Sequence, residues 1–233
     1  MKEGFSDNFK TGIFIRELKN RFLCEVEIDS ESVVCYVPSS CHLSNFLKLY
    51  KKEVILIPTA TPKSRTPYAL FAVPYKRSYI VLNTSMANRA IEVSIQRRLF
   101  SYLGKRKAVV KEYSVSGYKC DLYIKDTDTI IEVKSVISTD DRANFPTVYS
   151  ERTLKQLKCL REILNSGGQV CFCIVSLHPY VKEIVINQDS DFYRELKQCL
   201  DLGMSLYGYT TRLNESGLKI EREIPVSFNV CWN

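Results

Sequence analysis

The sequence predicts a mixed α/β protein: a small OB-like β-barrel over residues 1–77, followed by a larger α/β core over 78–233. Three observations carry that reading. The first 75 residues hold several short β-rich runs separated by turn residues, the pattern of a small barrel. Beyond them, apolar residues recur at helical spacing in two stretches: Ile91, Ile95, Leu99 and Leu103, then Leu154, Leu157, Leu160 and Leu164. The run from Val170 to Leu177 is almost continuously apolar, which suits a strand covered on both faces.

In chain order, Ile13–Leu18, Phe22–Ile28 and Val33–Val37 read as strands, with a turn at Asp29–Ser32. Leu43–Tyr50 reads as one or two helical turns. Val54–Pro58 and Tyr68–Val73 are strands flanking the polar loop Thr59–Pro67, and a barrel of this kind is suited to binding an oligonucleotide. Arg16, Lys19 and Arg21 interleave with Phe14 and Phe22, as a groove for phosphates and stacked bases requires. A solvated strand end over core phenylalanines gives the same pattern.

Pro74–Ser78 reads as a hinge. A strand Tyr79–Leu82 leads to Ser85, an N-cap residue, and a helix reaching Leu103 with Gly104 as its stop. Glu92 lies about 100° around that helix from Ile91, at the margin of the apolar stripe. It is either a site carboxylate or a surface partner of Arg89 or Gln96. After a strand Lys107–Tyr113 and the hairpin described next, Ser138–Tyr149 is an irregular polar segment of the kind that carries substrate contacts. The second helix runs from Ser150 to Asn165 and keeps Arg152, Lys155 and Arg161 off its apolar stripe, a basic face suited to phosphates or simply to solvent. Asp189–Leu202 is a third helix, and Met204–Leu213 and Leu218–Ile224 close the chain as strands. His42 and His178 read as structural.

The stretch Tyr118–Ser135 organises the rest. Two strand-like runs, Cys120–Ile124 and Thr129–Val136, flank Lys125–Asp128, a turn-favouring tetrapeptide. Alternation puts Glu132 and Lys134 on one face and Ile131 and Val133 on the other. A two-residue turn at Asp126-Thr127 sets Asp121 opposite Glu132. Two carboxylates suit a hard cation such as Mg²⁺ or Mn²⁺, and a lysine beside them could orient water or offset phosphate charge. An exposed cross-strand ion pair is the competing interpretation.

Asp121 followed by Glu132-Val133-Lys134 resembles the PD-(D/E)XK nuclease signature. Val81-Leu82-Asn83-Thr84, Ala87-Asn88-Arg89, Ile131–Val136, Phe145-Pro146 and Ser150-Glu151-Arg152 together resemble the sugar fermentation stimulation protein family. The resemblance implies an OB-like domain joined to a restriction-endonuclease-like domain, with nucleic-acid binding and room for metal-dependent phosphodiester hydrolysis. It implies Asp121, Glu132 and Lys134 as the catalytic set with Glu92 as third acid, Asp121 and Glu132 as metal ligands, and Arg89 and Arg152 as phosphate contacts. Gln156 stands where related nucleases often have a site-lining glutamine. The chain departs from the family at Pro38-Ser39-Ser40-Cys41, where members carry Pro-Asn-Thr-Gly.

A net charge of +7 and a pI near 8.9 favour a polyanionic partner: DNA, with RNA left open. Nine cysteines, an odd number with no CxxC pair, argue for a reducing cytoplasm and against a zinc knuckle. No apolar run is long enough to span a membrane, and neither a phosphate-binding glycine loop nor a Gly-x-Ser-x-Gly elbow is present. The oligomeric state, a homodimer included, is left open. A regulatory DNA-binding protein that does not cleave is the alternative to a nuclease.

Overall fold

The computed structural model describes residues 9–20, 22–38, 43, 47–59 and 64–229. The chain divides into two compact units: residues 1–86 with 177–179 and 212–218, and residues 87–176 with 180–211 and 219–233. The sequence-read sites at Arg21, at Ser39–Cys41 and at His42 lie outside the described residues.

In the first unit, β1 (Lys10–Glu17), β2 (Leu23–Ile28), β3 (Glu31–Tyr36), β4 (Glu53–Pro58) and β5 (Tyr68–Tyr75) form an OB-like barrel. Antiparallel pairing joins β3 to β2, β2 to β1, β1 to β4 and β4 to β5, and a parallel bridge between Tyr36 and Ala69 closes the ring. Strand alternation sends Phe14, Cys24, Val26, Ile28, Val54 and Leu56 inward. Asp29 and Ser30 both adopt positive φ (52° and 68°), as a tight hairpin between β2 and β3 requires. A Cβ on Gly12 would stand 2.6 Å from Val26 Cγ1, so only glycine fits where β1 crosses β2.

One reading changes here. Pro74 and Tyr75 belong to β5, which turns at Lys76 (φ 52°) into β6 (Ser78–Val81), so the segment taken for a hinge is a hairpin. The expected boundary at residue 77 falls in that turn, because β6 pairs with β5. At Leu43–Tyr50, a bond from Leu47 N–H to the Leu43 carbonyl (2.8 Å) marks one turn, and residues 47–50 do not continue it.

In the second unit, α1 (Met86–Ser94) is followed by a short 3₁₀ helix, Arg98–Leu103, in place of one helix to Leu103. The Ile95 carbonyl, which a continuing helix would use internally, accepts from Arg106 Nε at 2.7 Å, and the Gln96 amide donates to the Arg106 carbonyl. The helix begins directly after Ser85, and Asn83 Oδ1 accepts from Ser85 N–H and Oγ ahead of it.

The main sheet contains β7 (Val109–Lys111), then, beyond the small hairpin β8 (Ser114–Val115) and β9 (Tyr118–Lys119), β10 (Leu122–Ile124) and β11 (Thr129–Val136). Its central strand β13 (Gln169–Ser176) runs parallel to β11 and to β15 (Ser205–Asn214), and β16 (Gly217–Ile224) forms the far edge. The segment read as an irregular loop contains β12 (Arg142–Asn144), which joins β14 (Glu183–Asn187) and β17 (Val226–Asn229) in a small parallel sheet. Sequence periodicity did not mark β12 because only Ala143 of its three residues is buried.

Helices α2 (Glu151–Asn165) and α3 (Asp191–Asp201) start at Ser150 and Ser190, whose hydroxyls accept from the N–H groups of Thr153 and Tyr193. Leu157 and Leu160 of α2 and Leu196 of α3 share one core with Ile130, Val136, Phe172 and Ile174. Alternation puts Glu132 and Lys134 on that same helix-covered face of β11.

Candidate active site

Burying a glutamate among leucines is costly unless its oxygens are satisfied, and the chain meets that requirement from both sides. Glu132 is 1 % exposed. Its Oε1 accepts from Lys134 Nζ at 2.6 Å and its Oε2 from the Tyr118 hydroxyl at 2.5 Å. Lys134 also donates to Gln156 Oε1 at 2.7 Å, so α2 fixes the lysine from above.

Asp121 sits just before β10. The ladder pairs Leu122 with Ile131 and Ile124 with Thr129, so the register is the one that sets Asp121 opposite Glu132. The connection differs from the two-residue turn expected, because strand pairing stops at Ile124 and Thr129 and Lys125–Asp128 all lie in the turn, with Asp128 at φ 52°. Asp121 Oδ1 accepts from Asn88 Nδ2 and its Oδ2 from Val133 N–H, both at 2.8 Å. Its charge bears on both Glu132 and Tyr118.

The three residues therefore come together, and their electrostatics follow from burial. Burial pushes the Glu132 carboxyl above the usual glutamate range, opposed by Lys134 and reinforced by Asp121. Burial and the Glu132 charge push the Tyr118 hydroxyl well up, which keeps it protonated as a donor. A carboxyl whose pKa is raised on folding stabilises the fold below its unfolded pKa, and that contribution is lost as pH rises through the folded value. Relative to Glu132→Gln, the wild type is expected to lose stability as pH rises above the ordinary value of 4.5. Thermal unfolding of both proteins across the acid range checks this, and parallel pH profiles would contradict it.

Glu92 is paired with two cations. It pairs with Arg89 at 2.8 Å and Lys111 at 3.4 Å, and these two cations, working against burial, hold its carboxyl below the usual range. Among the described residues no three His, Cys, Asp or Glu side chains are grouped to hold a metal. Asp121 and Glu132 could still hold one. Each oxygen has two acceptor sites and uses one on a protein donor, and Mg²⁺ needs only one or two carboxylates beside water and phosphate oxygens.

The basic residues fall into two groups. Arg16 is clamped by Glu25 on the paired strand, at 2.8 and 3.0 Å, and Phe14 is buried in the barrel, leaving Lys19 and Phe22 on the outside. On α2, Arg152 is exposed and Lys155 forms an exposed pair with Glu151 at 2.8 Å. Arg152 precedes Gln156 by four residues, so both occupy one side of the helix.

Tyr118 and Lys111 were missed by sequence reasoning, and Asn88 entered it only through the family resemblance. The signal for Tyr118 was available, since a tyrosine buried beside a buried acid needs a partner for its hydroxyl. Lys111 lies opposite Leu122 in the ladder, a register that sequence did not supply.

The family model described as the sugar fermentation stimulation protein RE domain matches residues 85–217. A sugar fermentation stimulation protein homolog of Caldanaerobacter subterraneus subsp. tengcongensis is 30% identical over 222 residues, covering 92% of this chain and 95% of that protein. One of Natranaerobius thermophilus is 25% identical, covering 96% of each chain. Among solved structures, Pyrococcus furiosus SfsA in complex with Ca²⁺ has the same fold, with a TM-score of 0.78 at 19% identity over 94% of this chain and 96% of its own. With more than half its length inside the family model and a relative of that identity aligned over nearly all of it, the chain belongs to the sugar fermentation stimulation protein family.

Proposed function

We propose that this protein binds nucleic acid and hydrolyses its phosphodiester bonds with a divalent cation held by Asp121 and Glu132. The observation that carries the reading is the convergence of those two carboxylates with Lys134 on one side of the β10–β11 hairpin. A bound Mg²⁺ or Mn²⁺ would supply an activated water and offset charge on the phosphate. The chain's own residues do the rest. Lys134, fixed between Glu132 and Gln156, presents an ammonium where phosphate charge grows. Tyr118 and Asn88 hold the two carboxylates in place, and Arg152 offers a guanidinium to the adjoining phosphate. The Ca²⁺ held by the Pyrococcus furiosus relative supports an oxygen-seeking cation for this fold.

The net positive charge also supports a second reading, a DNA-binding regulator that does not cleave. The two separate in one experiment: labelled single- and double-stranded DNA and RNA are incubated with the protein while Mg²⁺ or Mn²⁺ is titrated. A nuclease gives products that appear with the cation and vanish with a chelator. Salt-dependent binding without products at any cation concentration would reject hydrolysis and leave the binder.

A further inference from the structure

Beside this site, wholly within the second unit, lies a cleft of about 380 Å³ between the segment 144–150 and the first turns of α2 and α3. Its volume falls in the range of small-molecule pockets, roughly 300 to 1,000 Å³. The inner wall is aromatic: Phe145 and Phe192 meet edge to face with centroids 5.3 Å apart, and both are buried. At the mouth stands Tyr149, 72% exposed. An aromatic ring that open to water beside an apolar cleft is informative in a way that scattered surface apolar residues are not. Asn144 and Asn187 add amides, and because Asn187 Oδ1 already accepts from Asp189 N–H at 2.9 Å, its NH₂ remains to donate.

The lining contains no lysine or arginine, and its one charged group, Asp191, is paired with Arg194. The aromatic wall and the two amides suit a flat, neutral ring with polar edges. The position of the cleft says what such a ring is attached to. Thr153 of α2 lines it, and Gln156, about 4.5 Å further along the axis, bonds Lys134. Arg152 shares the side of Gln156 and is exposed. A phosphate resting between Arg152 and Lys134 thus has the cleft within the span of its own nucleotide.

We infer that this cleft holds one unpaired nucleobase of a bound polynucleotide, its ring between Tyr149 and the Phe145–Phe192 wall and its phosphate at the Lys134 end of α2. The inference rests on the polynucleotide reading above and adds a strand preference to it. A base in a duplex reaches such a cleft only by leaving its stack, so single-stranded or unpaired substrate is favoured.

The test uses the full chain with a chelator present and a short single strand, DNA or RNA, carrying 2-aminopurine. Stacking in the cleft is expected to quench its fluorescence, and Tyr149→Ala, at a position too exposed to endanger folding, is expected to abolish the quench and weaken binding by about five- to a hundredfold. Asn144→Ala, also exposed, should weaken it less. An abasic strand should bind wild type and Tyr149→Ala alike. If Tyr149→Ala binds and quenches as the wild type does, or if intact duplex binds as well as single strand, the base site is wrong, even if Mg²⁺ then yields products. If the quench depends on Tyr149 and no cation yields products, the base site stands and the nuclease reading falls. Absence of binding to any strand rejects both.

Discussion

Lys134→Ala is expected to cost about 3 kcal/mol of stability at neutral pH and nearly all cation-dependent hydrolysis. The reason lies in what remains behind. Glu132 is buried, and without the ammonium 2.6 Å away it keeps only the Tyr118 hydroxyl to balance its charge. Removing one member of a buried pair typically costs about 3 to 5 kcal/mol, and the lysine's 19% exposure argues for the lower end. Losing Lys134 takes away a term that lowers the Glu132 pKa, so the folded variant holds a proton to higher pH than the wild type. Its deficit relative to the wild type should therefore grow as pH rises through the wild type's raised Glu132 value and shrink on acidification below it. Denaturant unfolding at several pH values measures that slope. Activity is read where circular dichroism shows the variant folded, and a variant with wild-type stability and turnover would remove Lys134 from both roles.

Asp121→Ala should lower hydrolysis by about a thousandfold, the scale of several kcal/mol of lost charge stabilisation, while leaving affinity for a single strand nearly unchanged. It also strands two donors, the Asn88 amide and the Val133 N–H, at a cost of about 1 to 3 kcal/mol each if no water replaces the carboxylate. Asp121→Asn separates the effects, because it keeps an acceptor oxygen for one of those donors but removes the charge a cation needs. Both variants inactive, with the asparagine form losing less stability than the alanine form, is the expected pattern. Turnover surviving in Asp121→Asn would show that the carboxylate is not a ligand.

Much of this was legible in the residues. The barrel strands, the hairpin register and the start of α2 at Ser150 follow from local rules: alternation at period two, turn residues, and a serine that can accept a helix N–H. Failures came where a distant partner intervened. The long helix breaks because Arg106 takes the Ile95 carbonyl, and nothing within the apolar stripe announces that. Glu92 was read as either a site acid or a partner of Arg89 or Gln96, and it does pair with Arg89. Its second partner, Lys111, is brought up by the ladder, which sequence did not supply. Among the described residues no helix is long and apolar enough to cross a membrane. The described cysteines are free, with Cys171 and Cys173 side by side in β13.

Alone, the sequence determined which residues share a face: Glu132 with Lys134 on one strand, Asp121 across from them through a short turn, and the basic side of α2. Tertiary structure decided how those groups are held. Tyr118 reaches Glu132 across 14 positions, Gln156 reaches Lys134 across 22, and Asn88 reaches Asp121 across 33. Periodicity records the direction in which a side chain leaves its own strand or helix. It carries no record of which other element will lie opposite, because that is settled only when apolar surfaces pack and each buried polar group must find a partner.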